Sequence, residues 1–247
     1  MNGLATAWRT LTILPLVKSG SLAPAQALLW FPLVGLILGL IHYGAALFLT
    51  EQLPLGLAAL ILLSLSIGLN GGLHLDGLVD SADGLFALVT PERRLDILKD
   101  PRLGTFGGLA LVLSLAFKWQ LLYLLLEQGK ALMLIPALVA SRFAMAWMAG
   151  RMNYAREQGT ARSWVNQAHW GHSLFALLAA ACLLFPFLWS AAIALVLAII
   201  AAELLGQFAK SRIQGITGDI LGMTNELVEI ALFFTFFLLP LHPIWLP

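Results

Sequence analysis

The chain is poor in cysteine and poor in charge. A single cysteine, Cys182, in 247 residues excludes an intrachain disulfide and any cluster of thiolate metal ligands. Charged residues make up 11% of the sequence, 14 basic against 13 acidic for a net charge of +1, so there is neither a broad basic surface for nucleic acid nor a charged tail. Three catalytic signatures are also missing. There is no GxxxxGK(S/T), no HExxH and no GxSxG, which removes support for a P-loop nucleotidase, a zincin or a serine hydrolase.

What the chain has in quantity is hydrocarbon. At 60% hydrophobic residues it is too apolar for a solvated globule and reads as an integral membrane protein. A spanning helix needs about 20 mostly apolar residues, because lipid offers the backbone no hydrogen-bond partners. Seven stretches qualify, at roughly 28 to 50, 55 to 75, 107 to 126, 131 to 149, 172 to 188, 190 to 206 and 226 to 243. The fifth and sixth meet at the short hinge FPFLWS, so two spans or a re-entrant hairpin both satisfy the pattern. The N-terminal patch LTILPLV, with Arg9 and Lys18 around it, has no convincing cleavage site and is expected to be a retained helix at the membrane surface. No repeat, linker or low-complexity tract divides the sequence. The expected fold is therefore all-α, a polytopic membrane helical bundle of about seven transmembrane helices forming one domain over residues 1–247.

Placing the N-terminus in the cytoplasm puts Arg9, Lys18, Arg93, Arg94, Lys99, Arg102, Arg151, Arg156, Arg162, Lys210 and Arg212 on that side and only Lys130 opposite. The long connections, 76 to 106, 150 to 171 and 207 to 225, then all face the cytoplasm, where chemistry is expected.

The motif LHLDGLVDSADGLF, residues 73 to 86, places three aspartates where charge is otherwise scarce. On a helix, Asp76, Asp80 and Asp83 stand at i, i+4 and i+7 and share a face. An ordinary solvated helix end is one reading. Gly77 and Gly84 repeat the same spacing at a cost to helix stability, as expected where a ligand or another backbone approaches closely. A divalent cation relieves the repulsion, and an all-oxygen ligand set selects a hard ion, Mg²⁺ or Mn²⁺.

The second acidic element, GITGDILGMTNELVE, places Asp219 at the mouth of the last span, Glu226 seven residues on and Glu229 one turn deeper. These acids either face the bundle interior or merely favour a helix N-terminus. Glu203, alone in the sixth span, reads as a hydrogen-bonding residue. In DPRLGTFGG, Arg102 and the amides around Gly104 and Thr105 are candidates for a phosphate cradle; a plain helix start is the alternative. Arg142 lies inside the fourth span and needs an anionic partner, either the aspartates or a phosphate, and Arg156 in NYAREQG is a further candidate. His74 is expected to be a hydrogen-bonding neighbour of the site. His42, His169, His172 and His242 remain without a role.

These motifs, in this order, resemble those of the cobalamin synthase, or adenosylcobinamide-GDP ribazoletransferase, family, and LTILPL and FPLVGLILG resemble its N-terminal pattern. The resemblance implies a Mg²⁺-dependent bacterial inner-membrane enzyme that joins adenosylcobinamide-GDP to α-ribazole or its 5′-phosphate and releases GMP. It implies metal ligation by Asp76, Asp80, Asp219 and Glu226, with Asp83 as ligand or general base and Asp76 as a further catalytic group. Substrate contacts would come from His74, Arg102, Gly104, Thr105, Arg142 and Arg156. Asn225 before Glu226, and Ile13 where a basic residue often precedes LP, depart from the family pattern, and the second leaves the role of the N-terminal helix open. The competing classes are a cation-coupled transporter and a CDP-alcohol-type phosphotransferase, whose aspartate spacing is similar but different. Gly35 with Gly39 and Gly68 with Gly72 allow close helix contact within one chain or in a homo-oligomer.

Overall fold

A computed structural model describes residues 2–15 and 24–240. Lys18 and His242 fall outside the described residues, as does the end of the last expected span. The described residues form helices joined by short connections, with one isolated parallel bridge between Tyr154 and Ile216.

The centre of the bundle is α8, Leu134–Ala149, in which every side chain except Trp147 is buried. Against it pack α3 (Phe31–Gln52), α10 (Trp170–Leu183), α11 (Leu188–Ile213) and α12 (Gly218–Leu238). The α3–α8 contact is close because α3 is notched: a Cβ on Gly35 would lie 2.5 Å from the Leu138 carbonyl oxygen, and one on Gly39 would lie 2.9 Å from Ile135 Cα. This expected small-residue contact is thus within the chain. Gly35→Val is expected to force the two helices apart at a cost of about 1–3 kcal/mol, read as a lower thermal unfolding midpoint in detergent.

Five helical stretches among the described residues are long and apolar enough to cross a membrane, or six if one bent pair counts as a span. The sequence expectation of about seven differs at two places. Trp170–Leu183 has 14 residues, about 21 Å of helix at 1.5 Å per residue, short of the hydrocarbon thickness. It packs mainly on α8 and α3, while α11 packs mainly on α8 and α12, so the two do not form a hairpin closed on itself.

The second place is the broken span. α4 (Leu55–Asn70) ends at Gly71 and Gly72, both left-handed at φ of 65° and 76°, and α5 (Leu73–Phe86) restarts at 87° to it. Gly71 and Gly72 donate to the carbonyls of Gly68 and Ile67, and the Gly72 amide also reaches Asn70 Oδ1 at 2.8 Å. Gly68 itself faces open space. The aspartates therefore belong to a separate helix, not to the continuation of a straight span.

α1 (Asn2–Leu11) buries Ala7, Trp8 and Leu11. The segment after it is pinned to the break: the Ile13 amide donates to the Leu69 carbonyl at 2.9 Å, and Trp8 Nε1 donates to the Leu14 carbonyl at 3.0 Å. α6 (Pro91–Ile97) packs on α5, and its buried Arg94 donates to the carbonyls of Leu85, in the last turn of α5, and of Val89, in the connection that follows. α7 (Thr105–Glu127) packs on α4, α5 and α12. Lys130, expected as the lone basic residue on the far side, is buried and caps α12 through the carbonyls of Phe236, Phe237 and Leu239 at 3.1, 2.9 and 2.6 Å.

Candidate active site

α5 lies against α12 with almost no space between backbones. A Cβ on Gly77 would meet the Asp219 carbonyl oxygen at 2.7 Å, and one on Gly222 would meet His74 Cα at 3.2 Å. Gly77 thus serves a backbone approach, whereas Gly84 makes room for the Leu98 side chain, and the approach at Gly77 is what brings Asp219 of α12 beside Asp76 and Asp80 of α5. The charge environment of Asp80 includes Asp76, Asp219 and Asp83 as like neighbours and Arg156 as the opposite one. Two other segments hold Arg156 there. The Ala155 amide donates to the Ile216 carbonyl, and the Ile216 amide donates to the Asn153 carbonyl, each at 2.9 Å. That stitch sets Arg156 Nη2 3.1 Å from Asp219 Oδ2, which also accepts from the Thr217 hydroxyl at 3.1 Å. Burial within the same loop raises the Tyr154 phenol above its ordinary pKa.

Asp76 and Asp80 face a cleft of about 960 Å³. Its other walls carry Arg9 from α1 and Lys99, Asp100 and Arg102 from the loop before α7. Arg102 is exposed and grips Asp100, with Nε 2.8 Å from Oδ1 and Nη2 2.5 Å from Oδ2. That fork holds the Asp100 carboxyl down to about 2.

Several expected site residues lie elsewhere. Asp83 accepts from the Gly104 and Gly107 amides at 2.8 Å each, so both of its oxygens cap the N-terminus of α7. The same bonds occupy the Gly104 and Gly107 amides on either side of Thr105, and Gly104 and Thr105 do not line the cleft. A carboxylate from α5 takes the anion's place because Gly104, the N-cap, brings no side chain of its own. His74 is buried, with no hydrogen-bond partner for either ring nitrogen among the described residues, and it too does not line the cleft.

Glu226 and Arg142 belong to a second polar centre inside the bundle. Lys118 of α7 places its Nζ 2.6 Å from Glu226 Oε2 and 2.5 Å from Glu229 Oε2. Arg142 pairs with Glu229 and donates to the Ser141 hydroxyl at 2.9 Å, and Asn225 Nδ2 donates to Glu229 Oε1 at 3.1 Å. Both glutamates sit mid-helix, which removes the helix-terminus reading, and the partner that Arg142 requires is Glu229. Lys118 escaped sequence reasoning, although a lone lysine in an apolar span is the same cue that Arg142 gave. Glu203 does act as a hydrogen-bonding residue, accepting from Trp147 Nε1 at 2.9 Å and Arg151 Nε at 3.0 Å.

The donor set that remains open, Asp76 and Asp80 with Asp219 beside them, is carboxylate oxygen only, which fits a hard divalent cation in kind. Among the described residues no three acidic, histidine or cysteine side chains stand close enough to form a ready-made cage.

Residues 3–237 match the family model for cobalamin-5-phosphate synthase. The chain belongs to that family. A relative from Chlorobaculum parvum, named adenosylcobinamide-GDP ribazoletransferase, is 42% identical over 95% of this chain and 94% of its own. Relatives of the same name from Syntrophobacter fumaroxidans and Ralstonia pickettii are 38% and 33% identical, each over 93% of this chain and 95% of their own. No solved structure matches the chain. The family match thus runs from α1 through α12.

Proposed function

We propose that this chain is an adenosylcobinamide-GDP ribazoletransferase. It joins adenosylcobinamide-GDP to α-ribazole or α-ribazole 5′-phosphate and releases GMP, a late step in adenosylcobalamin assembly. The observation that carries the reading is the cleft: in a chain of this family, Asp76 and Asp80 are the aspartates that face it without a side-chain partner, and Arg9, Lys99 and Arg102 line it with them. A ribose hydroxyl of the acceptor attacks the cobinamide-side phosphorus, a new phosphorus–oxygen bond forms, and the bond to the GMP phosphate oxygen breaks. An open carboxylate of the Asp76–Asp80 pair accepts the hydroxyl proton. Asp83, with both oxygens bound to amides, instead fixes α7 against α5.

Mg²⁺ is the cation this donor set suits, and when bound it offsets the clustered negative charge and polarises phosphate oxygens. Asp76 and Asp80, with Asp219, would hold it. The concentration of basic residues on the loops around the cleft supports a cleft facing the cytoplasm in a bacterial inner membrane.

The reading is tested with purified protein in proteoliposomes. GMP release should require adenosylcobinamide-GDP, α-ribazole and Mg²⁺ together, stop with EDTA and resume on adding Mg²⁺. Turnover of CDP-diacylglycerol instead, or ion flux with no GMP, would overturn it.

A further inference from the structure

α1 has one face in the core and one residue that the core does not explain. Ala7, Trp8 and Leu11 are buried, while Arg9 is exposed and lines the cleft that Asp76 and Asp80 occupy. Lys99 is exposed on the same cleft. Among the described residues neither Arg9 nor Lys99 makes an ion pair, whereas Arg102 is already held by Asp100. The α1 segment is held in place: the Ile13 amide bonds the Leu69 carbonyl at 2.9 Å, and a Cβ on Gly71 would meet the Ile13 side chain at 2.6 Å. A fixed element thus presents a free guanidinium to the cleft that two free carboxylates also line.

A cleft lined by unpaired cations from α1 and from the loop before α7, together with open carboxylates from α5, suits a ligand whose anionic part meets the cations directly. A divalent cation, which Asp76 and Asp80 would hold, would relieve the repulsion between those carboxylates and the rest of such a ligand. At about 960 Å³ the space lies at the upper end of small-molecule sites. A guanidinium offers two parallel donors to a phosphate and a lysine offers a point charge.

We propose that Arg9, with Lys99, is the diphosphate-binding wall of the cleft, so that α1 is a substrate-binding element and not only a membrane-surface helix. The proposal rests on the transferase reading above and assigns Arg9 to the nucleoside-diphosphate half of the donor substrate. The other source of phosphate near a surface helix is a lipid headgroup.

The test uses full-length protein in nanodiscs of phosphatidylcholine alone and, separately, with phosphatidylglycerol. Arg9→Gln should raise the KM for adenosylcobinamide-GDP by about tenfold or more, equivalent to one lost charge-assisted contact. It should leave kcat within about twofold and the KM for α-ribazole unchanged, because the lost contact is to the donor's phosphates. GDP, used as a competitive inhibitor and in calorimetry, should weaken by the same factor in both lipid mixtures, and Arg9→Lys should recover most of the loss. Arg162→Gln, an exposed arginine away from the cleft, is the control. Unchanged GDP binding in Arg9→Gln overturns the proposal. So does a defect seen only with phosphatidylglycerol, which would give Arg9 to the bilayer. Wild-type protein that binds GDP but releases no GMP would overturn the transferase reading alone, since the GDP arm still decides the role of Arg9.

Discussion

Asp76→Asn is expected to yield a protein that inserts and folds as the wild type does but loses GMP release by about a hundredfold to a thousandfold, the scale of removing one preorganised electrostatic partner from a reacting centre. The substitution keeps shape and removes charge, and it does so at an exposed side chain facing the cleft, so folding has little stake in it. Asp80→Asn should behave alike. Asp83→Ala should differ in kind. It strips the N-terminus of α7 of the carboxylate that binds the Gly104 and Gly107 amides, a capping loss of about 0.5–2 kcal/mol. A lower unfolding midpoint with partial activity is the expected signature, measured by thermal unfolding alongside initial rates. Should Asp83→Ala abolish turnover without moving the midpoint, while Asp76→Asn stays active, the roles assigned to the two aspartates would be exchanged.

The sequence carried the helical, membrane-embedded class of this chain because the length of an apolar run is a one-dimensional quantity. It carried the shared face of Asp76, Asp80 and Asp83 for the same reason: seven residues are two turns of any helix. What it did not carry is which way each helix leaves its neighbour. Gly71 and Gly72 looked like part of a long span, yet their left-handed backbone turns the chain by 87°. The two glutamates of α12 resembled Asp219 in charge and spacing, but mid-helix placement puts them beside Lys118, which only packing reveals. Asp83 and the α7 amides were each legible as reactive groups. Their consumption of one another depends on a contact across 21 and 24 residues of chain. Local pattern names the groups with chemical potential, and tertiary contact decides which of them remain unspent.

The buried centre gives the prediction with the largest effect on stability. Lys118→Met leaves Glu226 and Glu229 to share Arg142 as their cationic partner inside the bundle, where Lys118, Glu226 and Glu229 are each at most 3% exposed. Removing one member of a buried ion pair costs about 3–5 kcal/mol, mostly because the partner's charge is left uncompensated. The single variant should therefore unfold at a markedly lower temperature in detergent and accumulate poorly in membranes. Lys118→Met combined with Glu226→Gln removes one charge of each sign, leaves the Arg142–Glu229 pair intact, and should be more stable than Lys118→Met alone. The sign of that non-additivity is the decisive readout. If the double variant is less stable than the single, the lysine is holding α7 to α12 by shape and hydrogen bonding, not by cancelling charge. If the expected sign appears, the two polar centres of this protein obey opposite rules. The inner one is electrically closed and fixes α12 against α7 and α8, while the outer one pairs Asp219 with Arg156 but leaves Asp76 and Asp80 without an ion-pair partner, which is the condition for a cation and a phosphate to enter.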